Sequence, residues 1–308
     1  MVAHQLDSTP ATVIDIFSPD LAPVLSVAPG DTLVVHTLDS GGFTERPSST
    51  GEKSSQMIEN LRGHCLVGPI EIAGTHPGQV LAIHFQSLRP DDWGLTVAGH
   101  MDTPLNRRLG LDGTNGTRLL WSLDADNAIG TNQLGLATAL KPFLGVVGLT
   151  PAEPGEHSTV PPRAAGGGNI DCRELVAGST LYLPVTVPGS HLYLGDGHAA
   201  QGDGEVSGTA IEAGMTTTIA VDIAADPALD SVHAMTPAGR ITFGFDADLN
   251  EASAIALDAM LTWMQKLYPI NKTEALAMAS TTVSLRVTQI ANGTWGVHAL
   301  LPHDAIVG

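Results

Sequence analysis

Basic residues are scarce in this chain. Lys and Arg number 14 against 32 Asp and Glu, giving a formal net charge of −18 and a sequence pI near 4.8. Phosphate backbones demand Lys and Arg, so nucleic acid is excluded as a partner. The same field disfavours anionic substrates unless a local site reverses it; a neutral substrate or a bound cation fits better. Aromatic residues are also few, at 4% beside 43% hydrophobic residues, so the core must be aliphatic. The two cysteines, Cys65 and Cys172, have no metal-type or C-x-x-C spacing, which points to reduced thiols. No apolar run approaches the ~18 residues needed to span a bilayer. The opening residues Met-Val-Ala-His-Gln-Leu-Asp lack the basic-then-apolar pattern of a secretory signal. A soluble cytoplasmic protein with neither nucleic-acid nor membrane partners is therefore expected. The G-x-S-x-G elbow, the P-loop and the dinucleotide fingerprint are missing too, which leaves no recognisable serine nucleophile or phosphate cradle.

Turn formers, by contrast, are plentiful: 34 Gly and 20 Pro, as expected where strands outnumber helices. Short β-branched or aliphatic runs recur at 13–17, 24–27, 32–38, 68–73, 80–85, 143–149, 180–187 and 216–223. One long helix stands out: Asp248 and Glu251 have capping-box spacing, and apolar residues follow at helical spacing to Tyr268-Pro269. A shorter helix follows over 273–279, and 283–301 reads as a closing hairpin around Asn292-Gly293. The sum predicts a mainly β (α+β) chain, sandwich- or barrel-like, with a late helical insertion near 248–280. Composition divides it into an N-terminal β-rich part, 1–150, with a loop-rich excursion at 89–140, and a C-terminal part, 151–308, that carries the site.

Polar chemistry concentrates at Gly195-Asp196-Gly197-His198-Ala199-Ala200-Gln201-Gly202-Asp203-Gly204-Glu205, directly after a strand-like run. Residues i and i+2 of a strand share a face, so Asp196 with His198, and Asp203 with Glu205, form two pairs able to converge. His with carboxylates suits Zn²⁺, and carboxylates with carbonyls suit Ca²⁺. Asp with Gly is also plain turn material, and a lone His is often a hydrogen-bonded core residue; the whole cluster goes beyond what a turn requires. A second candidate is Gly166-Gly167-Gly168-Asn169-Ile170-Asp171, where an amide and a carboxylate follow a glycine run. His64 and His298 are candidates to complete a metal shell. Cys172 is disfavoured as a nucleophile because the adjacent Asp171 raises a thiol pKa.

These motifs resemble the acetamidase/formamidase family. The resemblance is strongest over GGNIDCRELVAGSTLYLPVTVPGSHLYLGDGHAAQGDGEVSGTAIE (167–212), with support from HPGQVLAIHF (76–85), KPFLGVVGLTP (141–151) and LRVTQIANGTWGVHALLP (285–302). It implies a β-rich fold and hydrolysis of a short aliphatic amide, of formamide or acetamide type, to carboxylate and ammonia with a divalent metal. Asn169 and Asp171 match the Gly-Gly-Asn-x-Asp motif, and Asp196, His198, Asp203 and Glu205 match the second motif. The resulting expectation has His198, Asp171 and Asp196 as metal ligands, with zinc or calcium bound. Glu205 moves the proton, Asn169 steadies an oxyanion, and Asp203 assists in catalysis. A small neutral amide is the expected substrate and a homo-oligomer the expected state. The alternatives are a metal-binding β-module without turnover and a hydrolase of another C–N bond, such as a urea or larger amide.

Overall fold

The computed structural model describes residues 2–307 apart from 53, 100 and 112. Two large sheets face one another. The first has nine strands in the order Ala3–Leu6, Thr32–Thr37, Met215–Ile223, Val80–Pro90, Thr180–Pro184, His233–Thr236, Gly239–Asp246, Trp295–Pro302 and Ser284–Gln289. The second runs Gly167–Asn169, Phe143–Leu149, Leu192–His198, Leu66–Ile72 and Val13–Ile14, with Leu25–Val27 also paired to Leu66–Ile72. Leu33, Val35, Ile83, Leu181 and Ile219 of the first sheet meet Val67, Ile70, Leu144, Val147 and Leu194 of the second in one buried aliphatic cluster. This is the expected mainly β sandwich, and it is closed by Val, Leu and Ile because few aromatics are present to do so. Segments from either side of residue 150 contribute strands to both sheets.

Burial differs between the sheets in a way that matters for the site. Thr32–Thr37 alternates half-buried and buried positions, the signature of a strand with one face toward the core. Phe143–Leu149 and Leu192–His198 are buried at all seven positions each. On their second face Val146 and Tyr193 pack with Phe17 and Leu66. The functional side chains therefore sit inside the protein rather than on a surface.

The irregular span 89–140 folds as a small antiparallel sheet of Trp93–Ala98, Thr117–Asp124, Ile129–Asn132 and Ala137–Ala139, with the short helix Pro104–Arg108. Its Trp121, Leu123 and the following Leu140 pack on Ala199, Ile211 and Ala213, just beyond His198. A stretch whose composition suggested loops is thus one wall of the site.

The two later helices, Leu249–Leu267 and Lys272–Thr282, pack outside the first sheet on Val297, Ala299 and Leu301. The capping box falls on the second helix, where Asn271 and Glu274 exchange both bonds. On the first, Asp248 caps by accepting from the Asn250 amide. No described helix is long and apolar enough to cross a membrane.

Candidate metal and catalytic site

The central strand Phe143–Leu149 lies between Leu192–His198 and Gly167–Asn169. The ladder pairs Phe143 with His198, Leu144 with Gly197 and Val146 with Gly195; the intervening residues are Gly145 and Asp196. Gly145 also bonds the other side, its carbonyl accepting from the amides of Ile170 (2.9 Å) and Asp171 (3.2 Å). Asp171, just past the strand Gly167–Asn169, and Asp196 and His198 of the strand Leu192–His198 thereby approach one point. A β-carbon on Gly145 would lie 2.4 Å from Asp196 Oδ2, 2.6 Å from Asp171 Oδ1 and 2.9 Å from His198 Cε1. The bare glycine is what leaves room for the three side chains.

Asp171, Asp196, His198, Glu205 and Glu212 are all buried, none more than 7% exposed. The ligand atoms of Asp171, Asp196 and His198 lie within 4.8 Å of one another, as do those of His198, Glu205 and Glu212. His198 Nε2 is 3.3 Å from Asp196 Oδ1 and 3.4 Å from Glu212 Oε1. Its Nδ1 meets Gln201 Oε1 at 2.8 Å, and Gln201 Nε2 donates to the Asp171 carbonyl at 2.8 Å. With the amide nitrogen committed to a carbonyl, its oxygen must accept from Nδ1–H, so Nε2 is the nitrogen directed at the carboxylates. Phe143 holds the imidazole edge-on, with ring centroids 5.1 Å apart.

Backbone strain concentrates here. Asp171, Asp196 and Glu205 have φ of +53°, +58° and +44°. Non-glycine residues in this region cost of order 1–3 kcal/mol each and persist where the surrounding structure over-determines them.

The electrostatics are equally unusual. Burial first, then the charges of neighbouring carboxylates, hold Asp171 and Glu205 well above the ordinary carboxylate range, although His198 pulls the other way on both. Burial alone would push His198 down, but Glu212 and Asp196 outweigh it and keep the imidazole well above its usual value. Asp196 is likewise burdened by burial, yet His198 and His64 hold it below the usual range. Asp171 Oδ1 and Oδ2, Asp196 Oδ1, His198 Nε2 and Glu212 Oε2 are buried without any hydrogen-bond partner among the described residues. Oxygen and imidazole nitrogen left unpaired around one point form a donor set suited to a divalent cation.

The expected site residues separate. Asp171, Asp196, His198 and Glu205 come together. Asp203 and Glu205 do not converge as an extended pair. The Glu205 amide bonds back to the Gly202 carbonyl, and the turn sends the two side chains apart. Asp203 instead pairs with Arg286, whose Nε donates to Oδ2 at 2.6 Å. Asn169 is buried, and one of its amide protons goes to the Val160 carbonyl at 2.9 Å, leaving Oδ1 without a partner. His64 bonds Thr159, and His298 Nδ1 meets Thr288 Oγ1 at 2.8 Å; neither belongs to the two ligand groups. Burial pushes the Cys172 thiol up to about 12, which makes it inert as a nucleophile. Glu212, Gln201 and Gly145 were missed. Glu212 closes the motif stretch 167–212, but a single Glu after an apolar residue carries no spacing signal.

A cavity of about 530 Å³ opens in front of the cluster, with Gln201, Asp203 and Glu205 in its wall beside Trp121, Ala200 and Ile211.

A family model described as the acetamidase/formamidase family matches residues 2–155 and 152–238. A formamidase of Methylophilus methylotrophus is 26% identical over 239 residues, 61% of this chain, and a Schizosaccharomyces pombe relative is 29% identical over 241 residues. The matches span 58% of the length of each of these relatives. Among solved structures, an acetamidase from Bacillus halodurans superposes with a TM-score of 0.85 at 26% identity, covering 97% of both chains. An acetamidase from Yersinia enterocolitica gives 0.84 at 26% identity, over 99% of this chain and 93% of that one.

Two outcomes test this geometry. Gly145→Ala forces the two carboxylates apart and is expected to destabilise the protein by about 1–3 kcal/mol, the usual cost of overpacking. An unchanged urea midpoint at an unchanged slope would contradict it. The second concerns Asp39, pushed up to about 7 by burial and by the charges of Glu212 and Asp196, against a bond from the Phe43 amide. Its folded value lies above the unfolded one, so its contribution to stability is complete below about pH 4 and is lost as pH rises through about 7. In chelator-treated protein, Asp39→Asn should flatten the fall in stability across that window by about 1 kcal/mol per pH unit. Equal slopes in both proteins would show that Asp39 does not titrate there.

Proposed function

The chain belongs to the acetamidase/formamidase family, and on that premise we propose that it hydrolyses a primary carboxamide to a carboxylate and ammonia at the cluster around His198. The convergence of five unpartnered buried donor atoms carries the reading. Asp171, Asp196, His198 and Glu212 would hold a divalent cation, and the imidazole in the set favours zinc or a similar borderline ion over calcium. When bound, such an ion supplies a more acidic water and a positive charge that polarises a carbonyl.

The remaining chemistry belongs to the chain. Glu205 stands where the cluster meets the cavity, so its carboxylate can reach both a water and a substrate entering from solvent. Its raised affinity for a proton suits it to accept one from the attacking water and return it to the amide nitrogen as the C–N bond breaks. The left-handed turn at Glu205 aims that carboxyl inward while Asp203 stays with Arg286. Gln201 fixes the imidazole tautomer and keeps Nε2 directed at the carboxylates. Asn169 spends one amide proton on Val160, and the Gly204 and Glu205 amides are spent on the Thr288 and Gly202 carbonyls, so the second Asn169 proton and the amides of Gly202 and Asp203 are the donors left to meet an oxyanion. Small neutral amides of formamide or acetamide type are the simplest substrates, in keeping with the names borne by relatives.

Ammonia release from acetamide tests the reading. Chelation and His198→Ala should each abolish most of the activity, and Glu205→Gln should lower kcat by at least about 100-fold. Undiminished release in both variants would overturn the site. A chelator that lowers Tm while no amide is ever hydrolysed would favour a metal-binding module without turnover.

A further inference from the structure

The cavity wall carries a cation with no carboxylate partner among the described residues. Four charged side chains line it: Lys141, Arg173, Asp203 and Glu205. Lys141 Nζ is 2.8 Å from Glu174 Oε2, and Arg286 binds both Glu174 Oε1 at 2.8 Å and Asp203. That network uses Glu174 and Asp203. Arg173, next in sequence to Glu174, takes no carboxylate among the described residues, and its Nε is buried without an acceptor. In a chain of net charge −18, a cavity wall with two cations, one of them bound to no carboxylate, is a local reversal of the field. Arg173 is half-buried, its buried Nε–H without an acceptor is costly, and its planar fork matches a carboxylate through two parallel bonds.

The space between supports the same reading. The cavity is open to solvent, and its volume of about 530 Å³ leaves room for a ligand larger than acetamide. Its remaining wall includes the apolar surfaces of Trp121, Ala200, Val206 and Ile211, and Trp121 is fixed by an Nε1 bond to Thr96 Oγ1 at 3.0 Å. Such a wall accepts methylenes. Glu205 and Arg173 both border this volume.

We infer that Arg173 binds the distal carboxylate of a substrate with a primary amide at one end and a carboxylate at the other, a monoamide of a dicarboxylic acid. The inference rests on the amide-hydrolysis reading of the cluster and names its substrate class. Hydrolysis breaks the C–N bond, places the water oxygen on the carbonyl carbon and releases ammonia, while the distal carboxylate is unchanged. The product is a dicarboxylate.

Two measurements on the whole chain test it. The first compares kcat/KM for succinamate and glutaramate with their neutral isosteres, 4-methylpentanamide and 5-methylhexanamide, in wild type, Arg173→Gln and Arg173→Lys. Wild type should prefer at least one anionic amide over its isostere by tenfold or more. Arg173→Gln should lose at least tenfold more on that substrate than on the isostere, mainly through KM, and Arg173→Lys should recover part of the loss. The second measures succinate and glutarate binding by calorimetry, which should weaken at least tenfold in Arg173→Gln. Neutral amides turned over as well as both anionic ones, or equal losses on both kinds, would overturn the inference while leaving amide hydrolysis intact. Dicarboxylate binding that depends on Arg173, with no ammonia released from any amide, would sustain the anion site and refute the hydrolase reading instead. Should Arg173→Gln fail to fold, the wild-type preference and the Arg173→Lys comparison still decide.

Discussion

Four carboxylates, those of Asp171, Asp196, Glu205 and Glu212, share a buried volume with a single imidazole. Among the described residues no Lys or Arg hydrogen-bonds any of them. Ionised carboxylates in a water-poor interior are expensive, and the chain alone has two responses: protonate some or recruit positive charge. The directions of the shifts show the first response at Asp171 and Glu205 and the pull of the second at His198. A divalent cation would offset the imbalance directly and reverse the upward pressure on the acids. The left-handed backbone at three of the acids and the missing side chain at Gly145 make sense as the means of bringing like charges together.

Such an arrangement needs a stiff frame. The sandwich supplies it through an aliphatic core shared by both sheets and through two central strands buried along their whole length. Strain at the site is tolerated because ladder bonds on both sides of Phe143–Leu149 leave the backbone little freedom to relax. The small sheet built from the 89–140 segment then adds Trp121 and Thr96 to the approach, so one part of the fold holds the charges and another shapes the entrance.

Much of this was legible in the sequence, for identifiable reasons. Strands such as Phe143–Leu149 and the Ser284–Gln289 and Trp295–Pro302 hairpin announce themselves through aliphatic runs and turn residues. Asp196 and His198, two apart on a strand, do meet across 3.3 Å. The same spacing misled at Asp203 and Glu205, where a left-handed turn replaces the extended backbone and an arginine 83 residues away claims Asp203. Glu212 and Gly145 were invisible because their roles come from pairing between distant segments. Glu212 bridges to both Leu95 and His198, and Gly145 matters for the space it leaves. The capping box fell on the shorter helix because Asp248 met the Asn250 amide, a local choice the residue types at 248 and 251 do not reveal. Arg173 lay beside a motif residue, yet its significance appears once Glu174 and Asp203 are seen to be spent on other cations.

The charge balance and the chemistry of the site both turn on a cation at this one buried point. Diffraction data from crystals of the protein loaded with zinc, collected on both sides of the metal absorption edge, locate any bound ion independently of turnover. The predicted result is an anomalous peak in contact with His198 Nε2 and the carboxylates of the cluster. A cluster without a peak, in crystals of protein that still releases ammonia from acetamide, would contradict it.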